Sequence, residues 1–278
     1  MESLKEKLLQ LKETHTANGC TNSFTEKCPK CRDTGFEIRR INGHDVAVPC
    51  ENGCYDKMNL ERQKRFATIP EAFKDMRLSN FSTSHYEPTD QVKDMIGIIQ
   101  YYRENMSELI EKGTGLYMYS HTKGSGKTRM AASIANEIID ELHLPVKFVT
   151  SIQIINEIKR SWDEGGESDL LYKLSTVKVL IIDDFGTEAV KDWLSERFYH
   201  IINERYINKL TTIFTSNASL AELEYDERIT NRILEMSIII PFPEESVREK
   251  VAMERNMEIM REVRRGTQGV RQEEVRNV

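Results

Sequence analysis

The sequence His-Thr-Lys-Gly-Ser-Gly-Lys-Thr occupies positions 121–128, between a short apolar run at 116–119 and a helix-forming stretch that starts near Met130. This order predicts a strand, a glycine-rich turn and the start of a helix. Gly124 and Gly126 let successive backbone N–H groups point inward, and a helix N-terminus adds partial positive charge. We therefore predict a phosphate-binding loop; the alternative is a glycine-rich turn in a flexible loop without a ligand.

Each polar side chain of this loop has an expected role. Lys127 is expected to reach the β- and γ-phosphates of a nucleotide, and Thr128 to place its hydroxyl on Mg²⁺, a hard cation that takes oxygen ligands. The consensus loop has glycine at position 121, where this chain has His, a residue that tolerates positive φ better than most. The residues expected to bind the nucleotide are Gly124, Ser125, Gly126, Lys127, Thr128 and Arg129.

Two carboxylates follow an apolar, β-branched run at 177–182. That composition predicts a central parallel strand, and open α/β sheets bind ligands at the C-terminal ends of such strands. Asp183 is the candidate for holding Mg²⁺, and Asp184 for polarising the attacking water. The alternative is a strand followed by an Asp-rich turn, and the glycine-rich turn upstream favours the site.

A third strand is predicted at 211–215, and Ser216 and Asn217 follow it. The Asn217 amide at this strand end can reach a γ-phosphate or the attacking water. Asn217 also begins a glycosylation acceptor pattern, Asn-Ala-Ser. The charged start of the chain is unlike a secretion signal, and no apolar run is long enough to span a bilayer. We discard glycosylation and expect a cytoplasmic protein.

Alternating strand and helix patterns around these motifs predict an α/β fold with a parallel sheet flanked by helices. The 278 residues, 39% of them hydrophobic, suffice for one large α/β domain and one small module. The 39 basic and 45 acidic residues give a net charge of −6. This balance argues against a wholly basic nucleic-acid surface but leaves room for a local basic groove.

All five cysteines lie within the first 54 residues. In a reducing compartment such clustering indicates a metal site rather than disulfides. The two close pairs are Cys28 with Cys31 and Cys50 with Cys54, and a hairpin with an Asn-Gly turn is predicted between them. This is the pattern of a zinc ribbon. The zinc would be structural, because four thiolates leave no open coordination position.

Two spare zinc-ligand candidates and a leucine-rich segment in the N-terminal region each have two interpretations. Cys20 and His44 are spare candidate zinc ligands, although Cys20 lies outside the paired spacing and His44 lies at the tip of the predicted turn. Four leucines at positions 4, 8, 9 and 11 predict a short amphipathic helix. That helix either packs on the ribbon or offers a docking face to a partner.

Two groups of basic residues are candidates for contacts outside the phosphate loop. Arg228 and Arg232 are four residues apart and share a face on a predicted helix. Taken alone, the pair is typical of a solvated face with salt bridges. Lys159 and Arg160 precede Trp162, a basic pair with an aromatic ring that can stack on a base of single-stranded DNA. Trp162 is equally compatible with a place in the core.

Taken together and in this order, these motifs resemble those of the DnaC/DnaI family of helicase loaders, within the AAA+ ATPases. The segments that carry the resemblance are Cys28–Gly35, Ile69–Phe73, His121–Thr128, Ile181–Gly186, Thr215–Asn217 and Arg228–Arg232. The resemblance implies a small zinc-ribbon domain joined to an AAA+ P-loop NTPase core. The expected division is a helicase-binding domain at 1–67, a linker at 68–88, an ATPase domain at 89–265 and a flexible tail at 266–278.

The resemblance also implies roles for single residues. Asn217 corresponds to sensor 1, and Arg232 is the preferred arginine finger, inserted into the ATP of a neighbouring subunit with Arg228 beside it. A finger that acts in trans requires an oligomer. Arg248 is similar to the arginine that follows the last strand in this family. Asp184 stands where many AAA+ proteins have glutamate, and the shorter carboxylate would suit a slowly hydrolysing switch.

These inferences give an expected function. An ATP-bound oligomer would grip single-stranded DNA and load a DnaB-type replicative helicase at replication initiation, and ATP hydrolysis would then release the loader. The expected cofactors are ATP, Mg²⁺ and Zn²⁺. One alternative is an IstB-like transposition helper ATPase, which shares the core motifs. A second is a helicase adaptor or inhibitor that is ordered by nucleotide and hydrolyses little of it.

Overall fold

The computed structural model describes residues 27–164, 169–187 and 192–276, with side chains omitted at 161–164 and 265–276. The chain forms two compact units, Met1–Arg65 and Phe66–Val278. The amphipathic helix predicted near the N-terminus and Cys20 lie outside the described residues. No helix in the described ranges is both long and apolar enough to cross a membrane.

The first unit contains the predicted hairpin. Strands β1 (Phe36–Ile41) and β2 (His44–Pro49) pair antiparallel. The turn residues Asn42 and Gly43 both have positive φ, 51° and 83°, as a two-residue hairpin turn of the Asn-Gly type requires. Helix α1 (Cys54–Ala67) follows. The hairpin thereby carries the two cysteine pairs to the same end of β1 and β2.

The second unit is built on a five-stranded parallel sheet in the order β4-β5-β6-β3-β7. Its strands are β3 (Gly115–Tyr119), β4 (Val146–Thr150), β5 (Val179–Phe185), β6 (Thr211–Ser216) and β7 (Ser237–Pro241). Its helices are α2 (Asp90–Glu104), α3 (Met106–Lys112), α4 (Lys127–Glu137), α5 (Ser151–Glu164), α6 (Asp169–Thr176), α7 (Asp192–Ile207), α8 (Glu227–Met236) and α9 (Val247–Arg276). The predicted fold class, an α/β fold with a parallel sheet flanked by helices, is confirmed.

The burial of the strands agrees with their positions in the sheet. Strand β6 is buried along its whole length, and β5 is buried except at Asp184, as expected for central strands covered on both faces. Strand β3 lies between β6 and the edge strand β7, so the phosphate loop follows an interior strand of the sheet. Nine of the eleven residues of α4 are buried, so the helix that begins at the loop is fixed firmly to the core.

One core residue could not be foreseen from the hydrophobic pattern. Arg205 of α7 is fully buried and donates hydrogen bonds to Thr212 Oγ1 and to the carbonyl oxygens of Leu174, Val177 and Thr211. Burial lowers the pKa of its guanidinium to about 9. Its partners are neutral oxygens at the end of α6 and the start of β6, which it ties together. A buried donor without such partners would be costly.

Two segments differ from the sequence-based expectation. The segment 68–88, predicted as a linker, packs on the core: Asn136 donates to the carbonyl oxygens of Phe73 and Met76, and Tyr86 donates to that of Ser125. Helix α9 continues to residue 276, through most of the predicted tail. Patterns of polarity and proline content do not reveal such tertiary contacts.

Candidate functional site

The loop after β3 has the geometry of a phosphate-binding loop. Its positive φ angles fall on Gly124 (80°) and Gly126 (96°), not on His121, and Gly126 precedes the first turn of α4. Lys127 is 5% exposed, and its Nζ donates to the carbonyl oxygens of Ser120 and Thr122 and to Ser125 Oγ at 3.1–3.2 Å. Burial lowers its pKa. The lysine is therefore held within the loop by uncharged oxygens, which an anionic phosphate can replace.

The residues predicted to hold Mg²⁺ lie together. The Thr128 hydroxyl donates to Asp183 Oδ1 at 2.9 Å, and the Thr215 hydroxyl donates to the same oxygen at 2.6 Å. Burial raises the pKa of Asp183, while these two hydrogen bonds oppose that shift. A hydroxyl in the first turn of a helix and a carboxylate near the end of a strand are a donor set that fits a hard cation bound with phosphate. The residues present therefore fit magnesium with a nucleotide.

Asp184 occupies a bulge in β5. The pairing between β5 and β6 shifts after Ile182 and resumes at Phe185, and Asp184 has φ 54°. Aspartate is one of the few L-residues that adopts this left-handed conformation readily, which gives a structural reason for an aspartate at this position. Phe185 then returns to the core, 4.9 Å from the Tyr225 ring. The Asp184 side chain is thus the exposed group at an otherwise buried strand end.

A cavity of about 650 Å³ lies against the phosphate loop and Asp184, and Asp183 is not among its described lining residues. It is lined by Phe73, Lys123–Arg129, Asp184, Thr187, Asn217, Val247, Arg248, Val251, Ala252 and Arg255. Lys127, Thr128, Asp184, Asn217 and Arg248 were predicted site residues, and the structure brings them to one cavity. Polar groups from three strand ends and α9 therefore converge on a space large enough for a nucleotide.

The sequence reasoning missed the apolar part of the cavity. Phe73 comes from the segment predicted as a linker, and Val247 and Val251 lie one turn apart on α9. Together they give the cavity an apolar wall that suits a nucleobase. Arg255 was also missed, although it lies seven residues after Arg248 and so shares a face of α9 with it. That spacing was the available signal.

His121 links three segments around the phosphate loop. Its Nε2 lies 3.0 Å from Glu222 and its Nδ1 lies 3.2 Å from Glu244. Glu244 also accepts from the backbone N–H groups of His121 and Thr122 at 2.9 and 2.7 Å. Hydrogen bonds to Glu222, and next to Glu244, raise the pKa of His121. The histidine at the consensus glycine position thus connects the loop to the segments after β6 and β7.

Both carboxylates of this cluster stay ionised over a wide pH range. Hydrogen bonds from Ser219 and then from His121 lower the pKa of Glu222 to about 2. Burial is the largest influence on Glu244 and raises its pKa, but hydrogen bonds from His121, Thr122 and Ser120 outweigh it and lower the pKa to about 2. The charge of the cluster near neutral pH therefore depends on His121.

We expect the stabilisation that His121 provides to depend on pH. Its folded-state pKa is raised above 6.5, so its contribution is fully present below the unfolded pKa and is lost as pH rises through the folded pKa. The thermal midpoint of the wild type should exceed that of His121→Gln most at about pH 5.5 and least at about pH 8.5. Differential scanning calorimetry measures this, with His200→Gln, an exposed α7 histidine, as control. An equal difference at both pH values would contradict the prediction.

The two predicted finger residues meet on one tyrosine. The guanidinium carbons of Arg228 and Arg232 lie 4.7 and 4.8 Å from the Tyr199 ring centroid. Arg232 donates to Asn203 Oδ1 at 2.8 Å and to the Tyr199 hydroxyl at 3.2 Å, while Arg228 pairs with Asp226. Neither arginine is among the described residues that line the cavity. The pair is therefore a surface feature of α7 and α8, separate from the chain's own nucleotide cavity.

The four paired cysteines come together in the first unit. All four sulfur atoms lie within 4.8 Å of one another, and those of Cys28 and Cys50 are 3.8 Å apart. A tetrahedral zinc with bonds of about 2.3 Å requires sulfur atoms about 3.8 Å apart. Backbone N–H groups of Cys31 and Lys30 lower the pKa of Cys28 to about 6. The donor set of Cys28, Cys31, Cys50 and Cys54 fits a structural zinc ion.

Other predicted residues are not brought into a site. His44 is exposed at the start of β2 and is not part of the cysteine cluster. Lys159 and Arg160 are exposed on α5, and Arg160 pairs with Glu157. The side chain of Trp162 lies outside the described residues. The structure therefore adds no support to a DNA contact at this helix.

The fold and cavity define a class of protein: a P-loop nucleotide-binding protein with the AAA+ fold. A family model described as IstB-like ATP binding protein matches residues 21–254, and the chain belongs to this family. A crystal structure of the DnaC helicase loader superposes with a TM-score of 0.55 and 25% identity, covering 63% of this chain and 100% of that one. The resemblance to DnaC/DnaI helicase loaders is thereby confirmed.

Curated relatives agree with this placement. The phage-like element PBSX protein XkdC of Bacillus subtilis (strain 168) is 25% identical over 215 residues, covering 75% of this chain and 79% of XkdC. The replicative helicase loader DnaI of the same organism is 29% identical over 189 residues, covering 66% of this chain and 59% of DnaI. The family is one of ATP-binding proteins, and some of its relatives are helicase loaders.

Proposed function

We propose that this protein is an ATP-dependent loader of a DnaB-type replicative helicase onto single-stranded DNA. The observation that carries the proposal is the match to the crystal structure of the DnaC helicase loader, which covers all of that chain and 63% of this one. Similarity to proteins named as helicase loaders favours a loader over the IstB-like transposition helper. On this proposal the module at 1–67 binds the helicase, 68–88 leads into the ATPase domain at 89–265, and the protein acts in the cytoplasm.

In the proposed reaction the chain binds the nucleotide, orients the attacking water and polarises that water. Lys127 and the N–H groups of the loop hold the phosphates, and Thr128 with Asp183 holds Mg²⁺, which supplies charge neutralisation at the phosphates. Asp184 accepts a hydrogen bond from the attacking water, and Asn217 orients that water or the γ-phosphate. Arg248 reaches the phosphates from α9. Hydrolysis then ends the ATP-bound state in which the loader holds the helicase.

The arginine pair completes the site from a second copy of the chain. Arg228 and Arg232 lie on α8, apart from the cavity of their own chain, and Arg232 is the proposed finger. A finger supplied in trans places charge on a neighbour's γ-phosphate only after assembly. We therefore propose that ATP is hydrolysed at interfaces between subunits of a homo-oligomer. We also propose that this homo-oligomer binds single-stranded DNA.

Light scattering after size exclusion tests the function. The wild-type chain, mixed with a DnaB-type replicative helicase and ATP, is expected to elute as a complex larger than either protein. Lys127→Ala should lose the ATP-dependent part of this assembly, because the ammonium that binds the phosphates is gone. Lys93→Ala removes an exposed lysine of α2 and should behave as wild type.

The alternatives give different results in the same experiment. If no complex forms with the replicative helicase, the result would contradict the loader function and favour the function of a transposition helper. A complex that forms and inhibits unwinding, with no ATP turnover on single-stranded DNA, would favour the adaptor or inhibitor. Helicase activity on a forked duplex coated with single-stranded-DNA-binding protein separates a loader, which raises unwinding, from an inhibitor, which lowers it.

A further inference from the structure

Thr215 contacts both carboxylate residues of the site. It lies near the end of β6, and its side chain is fully buried. Its hydroxyl donates to Asp183 Oδ1 at 2.6 Å and accepts from the backbone N–H of Asp184 at 3.0 Å. A hydroxyl can donate and accept hydrogen bonds at one oxygen atom. One oxygen of Thr215 therefore fixes the side chain of Asp183 and the backbone of Asp184.

The bulge in β5 explains why this contact is needed. Ile182 pairs with Phe214 and Phe185 with Ser216, so two residues of β5 lie opposite Thr215 alone. A bulge of this kind removes a rung of the ladder and leaves backbone groups unpaired. The Thr215 side chain replaces the missing backbone partner of Asp184. Without it a part-buried N–H would lose its acceptor, and leaving such a group unsatisfied is unfavourable.

Two further hydroxyls hold Asp184 from the other side. Its carbonyl oxygen accepts from Ser151 Oγ at 2.8 Å and from Thr187 Oγ1 at 3.0 Å. Asp184 thus has its N–H fixed by β6 and its carbonyl fixed by groups near β4 and after β5. The left-handed backbone at φ 54° needs such support because it is a sparsely populated conformation.

The contacts continue to the phosphate loop. Thr128 and Thr215 donate to the same oxygen of Asp183, so a chain of hydrogen bonds runs from the first turn of α4, through Asp183 and Thr215, to the backbone of Asp184. We propose that Thr215 is a positioning residue that sets the orientation of Asp183 toward the cation and of Asp184 toward the attacking water. This inference rests on the proposed ATPase function.

Two substitutions separate this role from general stability. Thr215→Val keeps the shape and removes the hydroxyl, whereas Thr215→Ser keeps the hydroxyl. Thr211→Val is a matched control, because Thr211 is also fully buried in β6 and donates to the Ile110 carbonyl at 3.2 Å, away from the cavity. Both valine variants lose one buried hydroxyl from one strand, and Thr215→Val also removes the acceptor of the Asp184 N–H. Thermal unfolding of both variants therefore has to be measured beside their activity, so that a loss of stability is told apart from a loss of positioning.

The first measurement is steady-state ATP hydrolysis by the full chain with single-stranded DNA and helicase. Residues that orient metal ligands typically contribute about 10- to 100-fold to metal affinity or activity, so we expect kcat to fall by about that factor in Thr215→Val. Thr215→Ser should recover most of it, and Thr211→Val should stay near wild type. The second measurement is the affinity for mant-ATP with Mg²⁺ and with EDTA, where Thr215→Val should lose most of the gain due to Mg²⁺.

The outcomes distinguish this inference from the proposed function. A wild type that hydrolyses ATP, with Thr215→Val equal to Thr211→Val in both measurements, would overturn the role of Thr215 and leave the ATPase intact. A wild type without hydrolysis would overturn the proposed function. In that case the mant-ATP measurement tests the role of Thr215. A gain in mant-ATP affinity on adding Mg²⁺ that is lost only in Thr215→Val supports this role. A gain in affinity that is unchanged in Thr215→Val rejects it.

Discussion

Replacing Arg232 by Ala is expected to reduce ATP hydrolysis by about 10³- to 10⁵-fold, the range found for arginine fingers that act on a neighbour's phosphate. The physical reason is that the guanidinium neutralises charge that develops on the γ-phosphate during transfer. Binding of mant-ATP by the variant should remain, since Arg232 does not line the cavity of its own chain. Arg197→Ala, at an exposed position of α7, is the control and should keep its activity.

A mixing experiment shows whether Arg232 acts in trans. Lys127→Ala lacks the phosphate-binding lysine but keeps Arg232, whereas Arg232→Ala keeps the lysine. Each variant alone should be inactive, and a mixture should regain part of the activity, because some interfaces join an intact cavity to an intact finger. Circular dichroism checks folding, since Arg232 also donates to Asn203 and Tyr199. Unchanged hydrolysis by Arg232→Ala, or no recovery on mixing, would rule out the finger.

Removing the zinc site is expected to abolish helicase binding while nucleotide binding persists. Structural zinc supplies an apparent free energy of about 10–16 kcal/mol in small zinc domains, and the hairpin of β1 and β2 has only two strands, too few for independent stability. Cys31→Ser should therefore lose zinc and the ordered hairpin. Inductively coupled plasma mass spectrometry should find one zinc per wild-type chain and none per Cys31→Ser chain.

The fifth cysteine provides a matched control for this prediction. The four clustered cysteines already supply a complete tetrahedral ligand set, so Cys20→Ser should keep its zinc and its complex with the helicase. Mant-ATP affinity should be the same in both variants, since the cavity is lined by residues of the second unit. Full zinc content in Cys31→Ser, or equal loss in Cys20→Ser, would show that the ligand set is different.

Much of the site could be predicted from the sequence because its residues are adjacent in the chain. The phosphate loop, the pair Asp183 and Asp184, and the strand end at Asn217 are local patterns with a local backbone requirement. The paired spacing of the cysteines and the Asn-Gly turn also specify a hairpin locally. The structure gives Gly124, Gly126 and Gly43 the positive φ angles that these motifs need.

Other features depend on residues far apart in the chain. The apolar wall of the cavity joins Phe73 to α9, and His121 meets carboxylates 101 and 123 positions away. Arg205 is a charged residue in the core because its partners come from α6 and β6. Propensity and periodicity describe neighbours along the chain only, so such contacts carry no sequence signal that a single chain reveals.

The sequence by itself therefore determined the class of site: strand ends and a glycine-rich turn that bind phosphate, and thiol pairs spaced for zinc. These follow from backbone geometry and ligand chemistry over a few residues. Only the tertiary structure decided which distant residues hold the side chains of the site in place. Parallel strands bring distant residues to one edge of the sheet. This places the Thr215 hydroxyl against the bulge at Asp184 and places His121 between two glutamates.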